Sequence, residues 1–239
     1  MRTLIHKYQS HRKILWAFAL TTIVCLMAFM PVQGSSADFS EQQQIVDKAQ
    51  LTVEAFAADP SLKLPLRELG PEARALFIVP SFMRGAFVFG GAGGSGVLLV
   101  RDAKSGTWGQ PAYYNIGSAS FGLQVGADVS EIVLVVRTNK GLEEFYRNDF
   151  KLGGNIGMAI GPVGEAAAFS GIAADLVSYA RTKGAFAGIA LDGAMVTVSD
   201  DSNAAYYGRR VRPTDIIVKG DVSNPKSLPL RQSVANLMK

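Results

Sequence analysis

The spacing of apolar residues changes twice along the chain. From residue 38 to 58 they recur at helical intervals, with Ile45, Ala49, Val53 and Phe56 forming one stripe. Ser40, followed three positions later by Gln43, has the form of a capping box, and Asp59-Pro60 ends the pattern. The pattern predicts a helix over 38–58 and a second, shorter one from Pro65 to Leu76, interrupted at Pro71. From Phe77 short β-rich runs take over: Phe77–Pro80, Ala86–Phe89, Val97–Val100, Ala112–Ile116, Phe121–Val125 and Ile132–Val136, separated by glycines and turn residues. Thr138-Asn139 caps a short helix through Tyr146. Strand-like runs resume at 155–160, 176–180, 186–191 and 195–198, and Asn203–Gly208 reads as one helical turn. No long alternation of strands and helices is present, which argues against a parallel doubly wound sheet. The predicted fold is α+β: N-terminal helices packed on a curved, glycine-rich, largely antiparallel sheet or barrel. Trp108, flanked by alternating residues, is predicted to be buried near a strand start.

Ahead of residue 38 the grammar is different. Residues 1–13 are polar and basic, Ile14 to Val32 carry no charge, and Ser35-Ser36-Ala37 supplies the small residues of a cleavage site. These three parts predict a secretory signal peptide over 1–37. An uncleaved anchor is the alternative, because 19 uncharged residues just span a bilayer. Either way the remainder is expected to be exported, in the periplasm or at the cell envelope. Cys25 lies within the apolar run, and the large Val24 before it does not fit a lipidation site.

Charge and composition narrow the chemistry. The chain has 239 residues, 48% hydrophobic and 18% charged, which is globular composition. Its net +4 comes wholly from Arg2, Lys7, Arg12 and Lys13, so residues 38–239 are neutral. That neutrality argues against a nucleic-acid partner. His6, His11 and Cys25 all lie in the leader, so residues 38–239 contain neither His nor Cys. A Ser–His–Asp triad, a cysteine nucleophile, a structural disulfide and His- or Cys-ligated metal are thereby excluded there. No cofactor is expected. Within the neutral remainder charge is uneven. From Ala205 onward seven basic residues face only Asp215 and Asp221. Residues 219–239, polar and dotted with proline, are predicted to be a loosely ordered basic tail after a domain spanning 38–218.

Several short patterns resemble chemical motifs. Gly91-Ala92-Gly93-Gly94-Ser95-Gly96 fits G-x-G-x-x-G, but Val97–Val100 follows as a strand where a dinucleotide site needs a helix. It is read as a glycine-rich bend or bulge between strands. Gly153-Gly154-Asn155-Ile156-Gly157 and Gly161-Pro162-Val163-Gly164 lack the Lys-Ser or Lys-Thr of a phosphate loop. Glu143-Glu144 would diverge on a helix, and Asp200-Asp201 reads as turn and cap chemistry. Arg209, Arg210 and Arg212, after Tyr206-Tyr207-Gly208, are the first candidates for gripping lipid phosphate, with Arg181 and Lys183 second. A solvated basic turn with both tyrosines packed inward is the competing reading.

Taken together, the segments Ala75–Pro80, Gly96–Asp102, Trp108–Tyr114, Gly122–Ala127, Gly161–Gly164, Tyr179–Gly188 and Ala205–Arg209 resemble the SYLF domain family. The resemblance covers roughly residues 45 to 218. It implies a non-enzymatic module that binds phosphoinositides or other anionic lipids. Some eukaryotic relatives also bind actin, and lipid contact in them is attributed to an amphipathic helix at the domain's start. Here that helix carries Asp38, Glu41, Asp47, Glu54 and Asp59 against Lys48, and an anionic surface would repel it. Its stripe is expected to pack on the protein's own sheet. The leader argues against an actin partner. The leading expectation is an exported module that binds anionic lipid or a membrane surface. The alternative is a structural or protein-interaction module of the envelope.

Overall fold

A computed structural model describes residues 36–86, 89–121, 126–161, 173–182, 185, 186 and 191–239. The predicted leader therefore lies outside the described residues up to residue 35. Among the described residues two helices come first, α1 (Ser36–Ala58) and α2 (Pro60–Leu69). The expectation placed the second helix later. Pro60 starts it instead, because proline suits a first helical position, and the Asp59 carboxylate accepts from the Ser61 N–H at 2.9 Å.

Nine strands follow among the described residues: β1 (Ala75–Ala86), β2 (Phe89–Val100), β3 (Ala112–Phe121), β4 (Gly126–Val136), β5 (Asp149–Lys151), β6 (Met158–Ile160), β7 (Leu176–Thr182), β8 (Ala185–Phe186) and β9 (Met195–Val198). They form one curved sheet in the order β5-β9-β3-β2-β1-β4-β7-β6, with β8 also on β7. Every pairing is antiparallel except β6 with β7. Helices α3 (Asn139–Glu144), α4 (Asp200–Tyr207) and α5 (Leu228–Leu237) complete the fold, and the α+β expectation holds. Among the described residues no helix is long and apolar enough to cross a membrane.

The side-chain alternation of the strands builds two cores, one on each face of the sheet. Leu76, Ile78, Val97, Leu99, Val133 and Val135 pack under the helices, against Val53 and Phe56 of α1, Leu66 of α2 and Val234 of α5. Thus the α1 stripe packs on the sheet, with Ala49, Val53 and Phe56 fully buried. On the other face Phe77, Val79, Leu98, Tyr114 and Leu134 meet Phe145, Phe150 and Ile156. Phe145 stacks edge-on against Phe77, Tyr114 and Phe150 at centroid distances of 5.7, 5.4 and 4.7 Å. Trp108 is buried, as expected, beside the bridge it forms with Arg101.

Two expectations change. The Gly91–Gly96 stretch is not a bend: it runs through the middle of β2, paired throughout with β3 and, at Gly91–Gly93, with β1 as well. A Cβ at Gly94 would come within 2.4 Å of the Ser81 carbonyl oxygen, and one at Gly96 within 2.4 Å of that of Ile78. The glycines let β2 approach β1 where the register of β1 slips between Ile78 and Met83. The irregularity sits in β1, and its partner accommodates it. The second change concerns the C-terminal stretch, which is ordered, not loose. Leu230, Val234 and Leu237 recur at helical spacing and are buried in the helix-covered core. Asn224 caps the turn before them by accepting from the Lys226 N–H at 3.1 Å.

Candidate anion-binding cleft

Strand β1 pairs with β2 at Ala75–Val100 and with β4 at Ala75–Val136. One residue beyond each pairing stand Arg101, Arg74 and Arg137. The main chain holds them in line: the Arg74 N–H donates to the Val136 carbonyl and the Arg101 N–H to the Arg74 carbonyl, both at 2.8 Å. Neighbouring strands lie ~4.8 Å apart, so three arginines stand in a row across one end of the sheet. They line a cleft of about 890 Å³, with Glu72, Lys104 and Asp175 among its other walls.

Each arginine is engaged differently. Arg137 donates through Nε and Nη2 to Glu72 Oε2 at 2.8 and 2.6 Å, and through Nη1 to the Ala174 carbonyl at 3.2 Å. Arg101 donates only to carbonyls, of Gly70 at 3.0 Å and Gly106 at 3.3 Å. That ties the β2–β3 turn to the end of α2 and neutralises none of its charge. The Arg74 side chain is exposed and makes no hydrogen bond or ion pair among the described residues.

The cleft's other carboxylates are committed to its walls. Asp102 accepts from the N–H and hydroxyl of Ser105 and from the Lys104 N–H, which holds its carboxyl below the usual range. For Asp175, partial burial favours the neutral form. The Thr138 hydroxyl, the Gly157 N–H and the nearby Lys140 ammonium outweigh it, and the carboxyl stays low. Both remain anionic near neutrality and structural. The charge left over at the row is positive, from Arg74 and Arg101. Among the described residues no group of three or more His, Cys, Asp or Glu could hold a metal ion.

The residues singled out from the sequence are placed elsewhere. Arg209, Arg210 and Arg212 are exposed, near α4. Arg209 donates to the Asp221 carbonyl at 2.7 Å, and the Arg212 N–H donates to Asp215 Oδ2 at 3.0 Å. Arg210 and Arg212 border a second cleft of about 510 Å³, but Asp200, Asp201 and Asp215 border it too. Lys219 claims Asp215 at 2.6 Å. Three carboxylates facing two arginines make a poor phosphate site. Tyr206 and Tyr207 turn inward: Tyr206 is buried against Tyr113, with ring centroids 5.2 Å apart, and the Tyr207 hydroxyl donates to the Pro111 carbonyl at 2.6 Å. Arg181 is spent internally. Its Nε donates to Glu131 Oε2 at 2.7 Å, and its guanidinium lies 5.9 Å from the Phe56 ring centroid, clamping α1 to β4 and β7. Lys183 lies outside the described residues. The arginine row was missed because its members are distant in sequence, although each borders an apolar run: Arg74 before Ala75–Pro80, Arg101 after Val97–Val100, Arg137 after Ile132–Val136.

Comparison with known proteins places the chain in a family. Residues 117–237 match the Ysc84 family model, described as Las17-binding protein actin regulator. Arg137 falls inside that segment, while Arg74 and Arg101 precede it. The chain is 30% identical over 158 residues to the SH3 domain-containing YSC84-like protein 1 of Bos taurus, covering 64% of this chain and 46% of that protein. It is 29% identical over 162 residues to the LAS seventeen-binding protein 3 of Saccharomyces cerevisiae, covering 65% and 35%. With an SH3 domain-containing protein of Schizosaccharomyces pombe it shares 30% identity over 178 residues, covering 70% and 41%. The chain spans less than half the length of these relatives. These findings overturn the expectation set against an actin-linked partner, which rested on the leader alone: the matching family is described as an actin regulator, and the yeast relative is named for binding Las17. The family model matches half of the chain, and the chain belongs to the SYLF (Ysc84) family.

Proposed function

We propose that this chain is an exported, non-enzymatic binding module that holds anionic phosphate-bearing headgroups in the cleft beside Arg74, Arg101 and Arg137. The observation that carries the reading is the row itself. Three arginines from neighbouring strand ends line one cleft, and the exposed Arg74 side chain has no partner among the described residues. Arg forks match phosphate oxygens in pairs, and a phosphate would supply the negative charge that the cleft's own carboxylates do not. Export is supported by the basic, apolar and small-residue parts of residues 1–37. Flotation of the full chain with neutral and with anionic vesicles tests the reading. Binding to anionic vesicles that weakens as salt rises is expected, and equal flotation with both, or with neither, overturns it.

A second reading is favoured by the relatives' names: docking on a protein partner of the kind met in actin regulation. Failure to float with any vesicle, together with direct binding to such a partner, would establish that reading in place of the first.

A further inference from the structure

Glu72 and Arg137 both line the cleft, and their ion pair covers the arginine at one end of the row. The two sides of the pair differ. Arg137 is held by the Ala174 carbonyl as well and its side chain is only 15% exposed, whereas that of Glu72 is 56% exposed. Glu72 sits in the turn after α2, anchored by its own N–H to the Leu69 carbonyl at 3.0 Å. The carboxylate, the exposed side of the pair, can therefore swing into water without disturbing the backbone. No comparable carboxylate covers Arg74 or Arg101 among the described residues.

Building on the headgroup reading above, we infer that Glu72 is a displaceable internal counter-ion that decides which phosphates the row accepts. A phosphodiester brings one negative charge, the same as the carboxylate it must displace. Once displaced, Glu72 stays nearby and repels the newcomer. The exchange gains little. A phosphomonoester, with a second ionisation near pH 6, brings more charge and three terminal oxygens, enough to take Arg137 while engaging Arg74. Glu72 thus makes the cleft selective for monoesters over diesters without touching the ligand itself.

The test uses the full chain at pH 7.5 with phosphatidylcholine vesicles containing either phosphatidic acid, a monoester, or phosphatidylglycerol, a diester, matched for total surface charge. The wild type is expected to bind the phosphatidic acid vesicles more tightly. Glu72→Gln is expected to tighten phosphatidylglycerol binding about fivefold, the effect of one elementary charge near an anionic surface, and so to narrow the ratio. Glu41→Gln removes the same charge from exposed α1 surface outside the cleft and is expected to leave the ratio as it was. A thermal melt checks that each variant is folded. Glu72→Asp, which keeps the charge but shortens its reach to Arg137, is the second variant and is expected to fall between wild type and Glu72→Gln. If the wild type binds but Glu72→Gln leaves the ratio unchanged, or shifts it no more than Glu41→Gln does, the role of Glu72 is overturned and the headgroup reading stands. If neither wild type nor Glu72→Gln binds either vesicle, the headgroup reading falls and the role of Glu72 with it.

Discussion

Asn203 of α4 does for Tyr113 of β3 what a neighbouring strand would do. Its Oδ1 accepts from the Tyr113 N–H at 2.9 Å, and its Nδ2 donates to the Tyr113 carbonyl at 3.2 Å. The side chain is completely buried. Strand β9 pairs with β3 only from Tyr114 onward, so the amide extends the ladder by one residue where the chain turns into α4. Replacing Asn203 with Ala strands the Tyr113 N–H in the core. An unsatisfied buried donor costs about 1–3 kcal/mol. Asn203→Ala should lower the stability read from denaturant unfolding by that amount. Asn203→Asp should do worse, because its carboxylate oxygen would face the Tyr113 carbonyl. No change in either variant would mean the amide is not needed there.

A second prediction separates structure from binding at Arg181. Its pair with Glu131 is largely shielded, with side-chain exposures of 20% and 28%, and Thr52 of α1 donates to the same carboxylate at 3.3 Å. Truncation leaves Glu131 without its cation and removes packing on Phe56. Loss of about 1–3 kcal/mol is expected for Arg181→Ala, between the values for exposed and for buried pairs. Vesicle binding measured on the folded variant should match the wild type. A large loss of lipid affinity with unchanged melting temperature would restore Arg181 as a ligand contact.

Gly96 carries a third. Its Cβ would meet the Ile78 carbonyl oxygen at 2.4 Å and both Phe77 Cε2 and Val79 Cγ2 at 2.9 Å. Backbone cannot yield as a flexible side-chain end can, so Gly96→Ala must push β2 away from β1. Overpacking of this sort costs about 1–3 kcal/mol. Thermal melting should fall accordingly, whereas Gly91→Ala, whose Cβ would meet nothing within 4 Å, should stay within about 0.5 kcal/mol. Equal effects at both positions would contradict the close β1–β2 approach.

What the sequence made legible follows from distance along the chain. The helical stripe of α1, the alternation of Leu76 and Ile78 against Phe77 and Val79, and the burial of Trp108 are local patterns and could be read directly. The role of the β2 glycines could not, because the carbonyls they avoid belong to another strand. Arg209, Arg210 and Arg212 drew attention because they are sequence neighbours, yet the fold sets Asp200, Asp201 and Asp215 around two of them. The row of Arg74, Arg101 and Arg137 exists only through the pairing of β1 with both β2 and β4, which is a fact of register. Leu230, Val234 and Leu237 did carry a helical signal, masked by the polar and proline residues around them.

Acid should loosen the cleft's wall at Asp175. The carboxylate joins the Thr138 hydroxyl, the Gly157 N–H and Lys140, linking the ends of β4, β6 and β7. Its folded pKa is depressed, so the stabilisation is present above the unfolded value near 4 and is lost as pH falls through the folded value. Asp175→Asn should flatten the decline of melting temperature below about pH 4 relative to wild type. A wild-type acid slope identical to that of the variant would show that other carboxylates govern it.

The last prediction sets the two basic surfaces against each other. Arg74 is exposed and supports nothing else through its side chain among the described residues, so Arg74→Glu should fold normally. The change reverses one charge, a difference of two units at the row. At about 1 kcal/mol per charge near an anionic surface, affinity for such vesicles should fall by about 2 kcal/mol. Salt should then weaken the variant less than the wild type, since screening acts on the attraction that has been removed. Arg210→Glu makes the same change of charge at another exposed position, beside Asp200, Asp201 and Asp215. A surface already balanced by carboxylates should lose little, within about 0.5 kcal/mol. The pair controls for net charge, because both variants carry the same total. Equal weakening by both would mean that overall charge, and not the row, draws the protein to the membrane. Weakening by Arg210→Glu alone would move the site to the C-terminal arginines.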